Sequence, residues 1–236
     1  MEQLSKLEQL AYNELLKNKM LVFKPLDLSR LLGMKIQKTY NLIKSLKKKK
    51  VINTTGKRFL SLKNTDEFVI APSINPPSYI SFLTALNYYN FSDETPKMIF
   101  LVTTKQSKQI KNFRYVTFSK KRFFGYHSVG NIVIAQKEKA IIDSLLIPKY
   151  SGGIKEIIRC LDSSIETINI NKLIDYAIQM QSKAVNRRLG YIIEKGGYKT
   201  DLNKLKKRVG KGYELLDPSL KRKNNFNKTW LLDINI

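Results

Sequence analysis

The sequence predicts an α+β fold in two parts: a helical N-terminal segment closed by a β-hairpin, then a larger mixed α/β region with a helical continuation. Three observations predict it. Apolar residues recur at helical spacing through residues 5–50 and give way at 51–62 to two short apolar-rich runs around Gly56. Prolines cluster at Pro72, Pro76 and Pro77, in the run APSINPPSY, and mark a linker. Beyond it, strand-like and helix-like runs alternate as far as Gly152 and Gly153, after which the spacing is helical. The expected division is therefore 1–68, a linker over 69–77, and 78–236.

In the first part, Leu7, Leu10, Ala11, Leu15 and Leu16 predict a supporting helix from Ser5 to Lys19. Met20 to Phe23 is an apolar connector suited to a short strand. Pro25 fits a first helical turn, Leu26, Leu28, Leu31 and Leu32 continue a second helix, and Gly33 ends it. Lys35 to Lys50 then reads as a third helix, with Ile36, Thr39, Tyr40, Ile43 and Leu46 turned inward. Lys35 opens it, and Gln37, Lys38, Asn41, Lys44, Ser45 and Lys48 face outward.

Val51 to Leu62 forms the hairpin, with Thr54, Thr55, Lys57 and Arg58 at its tip. Two helices around a short break, followed by a hairpin, match a winged helix-turn-helix. In that arrangement Gln37 and Asn41 suit base edges, because an amide can pair bidentately with adenine. Lys38, Lys44, Ser45 and Lys48 would hold the DNA backbone, and the hairpin tip would touch phosphates or the minor groove.

The second part reads as a helix over Tyr79–Tyr89, then strands over Met98–Thr103, Arg114–Ser119 and Asn131–Ala135. Lys137–Leu146 follows as a helix with Ala140, Ile141, Leu145 and Leu146 inward. Further helices are expected over Ile154–Leu161, Asn171–Met180, Lys183–Glu194 and Leu202–Val209. In the third of these, Asn186, Arg187 and Arg188 near the helix start suit either a phosphate contact or a solvated face.

Charge points to the partner. The 236 residues hold 43 Lys+Arg against 19 Asp+Glu, a formal charge of +24 that a polyanion would offset. The charge is spread evenly: +9 in residues 1–70, +7 in 71–150 and +8 in 151–236. It belongs to the folded surface and not to a basic tail. A hydrophobic fraction of 42% supports folded structure throughout. Cys160 stands alone, excluding an internal disulfide, and with one histidine, His127, the chain is too poor in soft ligands for structural zinc. With no apolar signal core at the start and no run long enough to span a bilayer, the expected location is the cytoplasm.

Catalysis is the rival class. A metal-dependent nuclease would need clustered carboxylates, and the candidates are Asp93, Glu94, Glu138 and Asp143. Glu138 and Asp143 lie about 140° apart on their helix, which does not make a shared ligand pair. His127 reads as an exposed turn residue, Cys160 as a buried small one and Trp230 as a core anchor. The chain is expected to be a binding protein with no cofactor, not an enzyme.

In five stretches taken in order, the sequence resembles the AbiE-type antitoxins of abortive-infection and toxin–antitoxin operons. They are the Gly56–Leu62 end of the hairpin, the aromatic run Tyr79–Tyr89, the Phe124–Gly125 step, the segment Ile134–Leu145, and the ending Leu216–Ser219 with Asn227–Leu231. Phe59 stands where a tyrosine is usual, and the second and third helices are richer in lysine than the pattern. The resemblance implies a repressor that binds inverted repeats in double-stranded DNA upstream of its own operon and neutralises a nucleotidyltransferase-like toxin.

Overall fold

The computed structural model describes residues 3–236, and the chain divides into two compact units, Met1–Pro76 and Pro77–Ile236. Both mix helices and strands, so the chain is α+β.

The first unit begins with α1 (Lys6–Lys17), started by a reciprocal cap between Ser5 and Glu8. After β1 (Val22–Phe23) comes α2 (Pro25–Leu31), with Pro25 in its first turn and the Asp27 carboxylate accepting from the Lys24 backbone N–H at 2.8 Å. The chain then turns through Gly33, whose φ of +60° is the left-handed conformation glycine adopts without strain. Next is α3 (Ile36–Lys48), then the hairpin of β2 (Ile52–Thr54) and β3 (Leu60–Leu62). The strands form an antiparallel sheet in the order β1-β3-β2, with Ile52 opposite Leu62 and Thr54 opposite Leu60. Ala11, Leu15, Phe23, Leu28, Leu42, Ile43, Leu46, Ile52, Leu60 and Leu62 make the core.

Two details depart from expectation. The inward face of α3 is Thr39, Leu42, Ile43 and Leu46, while Ile36 and Tyr40 are exposed. The buried i, i+3, i+4, i+7 set is centred on Leu42 and Leu46, which turns Ile36 and Tyr40 to the rim. The expected linker over 69–77 is for the most part helical: α4 (Glu67–Ile74) is capped by Asp66 and buries Ile70, Ala71, Pro72 and Ile74. Burial of this apolar run outweighs the one backbone donor that Pro72 lacks.

The second unit is built on a six-stranded sheet from β4 (Ser78–Ile80), β5 (Ile99–Thr103), β6 (Lys108–Ile110), β7 (Phe113–Thr117), β8 (Tyr126–Val129) and β9 (Ile132–Ala135). Their order is β6-β7-β5-β4-β9-β8, with β5/β7 and β4/β9 parallel and the other pairs antiparallel. The helix expected over 79–89 is instead β4 followed by α5 (Phe82–Tyr88). Phe82 makes the corner at a φ of +55°, held between Phe100, Phe118 and Tyr150 at centroid distances of 5.3–6.5 Å. His127, expected in an exposed turn, is half-buried on β8 opposite Ile134.

Helix α6 (Lys137–Leu146) is buried along most of its length and packs against α5, α7 (Ile154–Ser164), α8 (Ile170–Gln179) and α9 (Lys183–Lys195). The helix expected over 202–209 shortens to α10 (Asn203–Lys206). A small sheet follows, of β10 (Glu214–Leu215), β11 (Phe226–Asn227) and β12 (Leu232–Asp233), with β12 in the middle. Trp230 is fully buried against α9, and a methyl group at Gly190 would lie 2.1 Å from its ring. Only glycine permits that approach.

Candidate nucleic-acid interface

The outward surface of α3 follows from which side its core residues occupy. With Leu42 and Leu46 inward, the opposite side carries Gln37, Asn41, Lys44 and Lys48, all exposed. Their charged and amide ends are available to a ligand. Lys35, just ahead of the helix, is exposed as well.

Two flanks border this surface. On one, Ser45 donates to Glu8 Oε1 at 2.5 Å and Lys49 donates to Glu8 Oε2 at 2.7 Å. Hydrogen bonds from Lys49, Ser45 and the Ser5 backbone hold the Glu8 carboxyl down to about 2. Ser45, expected on the DNA backbone, is thus half-buried and engaged with α1. Its place in the helix, about 70° round from the centre of the exposed side and towards α1, is the reason. Lys38 is exposed on this same flank, two turns before Ser45.

The other flank faces the hairpin. Here a groove of about 410 Å³ runs between α2, α3 and the hairpin, lined by Lys24, Leu26, Tyr40, Lys47, Arg58 and Phe59 among others. The Lys24 ammonium sits 5.0 Å from the centre of the Phe59 ring. Thr54, Lys57 and Arg58 are exposed along the hairpin. Thr55, expected with them, is buried: its N–H bonds the Phe59 carbonyl at 3.0 Å, closing the hairpin, so its side chain turns inward.

Sequence reasoning missed Tyr40, Lys47 and Lys24. Centring the helical periodicity on Leu42 would have found the first two, since Tyr40 and Lys47 flank the Gln37–Lys44 side. Lys24 precedes a helix start and carries no local signal of its position.

The two arginines of α9 are elsewhere and otherwise employed. Arg187 is fully buried and donates to the carbonyls of Val209 at 2.8 Å and Lys211 at 3.0 Å, with Leu231 at 3.5 Å. Arg188 donates to the carbonyls of Leu145 at 2.7 Å, Leu216 at 2.9 Å and Leu215 at 3.3 Å. Neither reaches solvent, which removes both from the expected DNA-contacting set. A guanidinium has five donors in a fixed fork, and here they satisfy irregular backbone that has no ladder of its own.

Of the four carboxylates a nuclease could have used, Asp93 and Glu94 are exposed side by side in the segment after α5, and Asp143 and Glu138 are taken up in contacts of their own. Asp143 is buried and accepts from Lys139, from the Tyr79 hydroxyl at 3.0 Å and from the Ser81 hydroxyl at 2.8 Å. Burial pushes Asp143 up and Lys139 down from their ordinary ranges, and each partly restores the other's charge. Glu138 accepts from the Asn169 N–H at 3.1 Å and pairs with Lys172 at 3.1 Å. Among the described residues no three His, Cys, Asp or Glu side chains form a group suited to a metal ion. Cys160 is buried beside Glu156, and desolvation pushes its thiol up to about 12, far from a reactive thiolate. Trp230 donates from its indole to Glu194 at 2.8 Å and is a core residue. No helix among the described residues is long and apolar enough to cross a membrane.

The fold is similar to that of the RV2827C protein from Mycobacterium tuberculosis, with a TM-score of 0.66 at 9% sequence identity, covering 98% of this chain and 92% of that one. At that identity the likeness is one of fold alone. No family model and no curated protein matches the sequence.

Proposed function

We propose that the chain is a sequence-specific DNA-binding repressor whose first unit is a winged helix-turn-helix, with α3 in the major groove and the β2–β3 hairpin as the wing. One observation carries the reading: Gln37, Asn41, Lys44 and Lys48 share one exposed side of α3, and the exposed Lys57 and Arg58 stand across a groove from it. That pairs amides for base edges with cations for the two phosphate rows that border a groove. The +9 charge of residues 1–70 supports the same partner.

Binding to duplex DNA from the chain's own promoter region, measured across a salt series, tests it. Lys44→Ala or Arg58→Ala should weaken binding to every sequence and lower the slope of log affinity against log salt by about 1. Gln37→Ala and Asn41→Ala should relax sequence preference instead. Unchanged affinity and slope in all four variants would refute the proposal.

The resemblance to AbiE-type antitoxins extends it. On that reading the DNA is an inverted repeat in the operon's own promoter, and the chain also neutralises a nucleotidyltransferase-like toxin. Co-expression with the product of the neighbouring gene decides this part, since growth arrest that persists despite the chain would rule out neutralisation.

A further inference from the structure

The composition of the exposed side of α3 goes further than DNA binding in general. Its N-terminal half, the part of such a helix that reaches base edges, presents two amides, Gln37 and Asn41, and beside them two apolar side chains, Ile36 and Tyr40. Ile36 is 37% exposed and Tyr40 53%, although both are large and apolar. Each pair is spaced i, i+4, so the two amides form one row and the two apolar groups form the next. Residues 35–50 contain no arginine, aspartate or glutamate. The guanidinium fork that matches guanine and the carboxylate that reads cytosine N4 are therefore both missing from this helix, which leaves guanine only the lysines, point charges that the flanking phosphates attract as well.

An A·T pair shows adenine N6 and N7 beside the thymine C5-methyl in the major groove. An amide row beside an apolar row matches that edge. Gln37 and Asn41 are separated by about 6 Å along the axis, close to two base-pair steps. The hairpin adds an independent pointer, because Arg58 is exposed at its turn and arginine favours the narrow minor groove of A·T runs.

We infer that this chain reads an A·T-rich half-site, with Gln37 and Asn41 on adenines and Ile36 and Tyr40 on the thymine methyls beside them. The inference rests on the DNA-binding proposal above and specifies its ligand.

The experiment is selection of duplexes from a randomised pool by the full chain at fixed salt, followed by affinity measurement on the selected duplex with its core thymines replaced by deoxyuridine. The expected result is a selected core of A·T pairs and a loss of about ten-fold when the methyls are removed. In Tyr40→Ala, whose thermal unfolding should match the parent because the side chain is exposed, deoxyuridine should cost markedly less than in the parent. Tight binding to G·C-rich cores, or to all duplexes alike, overturns the inference and leaves DNA binding standing. So does an A·T core whose methyls contribute nothing in the parent. Failure to bind any duplex overturns both.

Discussion

Helices α3 and α9 are the same length and both basic, yet they use their cations in opposite ways. On α3 the buried positions are Thr39, Leu42, Ile43 and Leu46, and the lysines of its outward side stand in solvent. On α9 the arginines are themselves buried, and their donors tie down the carbonyls of residues 145, 209, 211, 215 and 216. Charge on a helix therefore indicates a partner only when the core has already been supplied by other residues. A buried cation is bound to its own chain.

The largest expected effect breaks the α9 side of that contrast. Arg188→Ala strips three carbonyls of their donor, and chemical unfolding of the full chain should show a loss of about 3 kcal/mol or more. Gly190→Ala tests the same region sterically. Its methyl would meet the Trp230 ring, and a loss of about 2–3 kcal/mol is expected from a core that cannot yield. A result near zero for either would mean that the C-terminal segment is not held as described.

Glu8→Gln probes the flank where α3 meets α1. The folded carboxyl titrates at about 2 against an ordinary 4.5, so its stabilisation is complete above about pH 4.5 and disappears as the pH falls towards 2. In the Gln variant that part of the acid dependence should vanish, as a pH series of thermal unfolding would register. Smallest of all in stability are Lys44→Ala and Arg58→Ala, expected within about 0.5 kcal/mol of the parent. For them the salt slope of DNA binding changes while the melting temperature does not.

The first unit was legible in the sequence because its contacts are local. Every core residue from Ala11 to Leu62 lies in a run whose period already gives its element, and Gly33 and Pro25 punctuate those runs. What the period did not give was the phase of α3. Counting Ile36 and Tyr40 as core, and passing over Leu42, rotated the helix enough to include Ser45 and to omit Tyr40 and Lys47. The second unit was less legible. Strand β8 pairs with β9 through a tight turn at Gly130, but its sequence, Tyr126–Val129, is half polar and lacks a clear alternation. The strands of the last sheet are two residues long and have no period at all. Arg187 and Arg188 were misread because their partners are backbone carbonyls as far as 44 residues along the chain.

Those same long-range bonds order events during synthesis. The first unit is complete once residue 76 has left the ribosome, so it can close while the rest is still being made. Helix α9 cannot. Its guanidinium groups and the notch at Gly190 wait for residues 209–231, so for that interval a newly made chain carries two desolvation-prone cations and an unfilled slot. The second unit is the one a chaperone would find open.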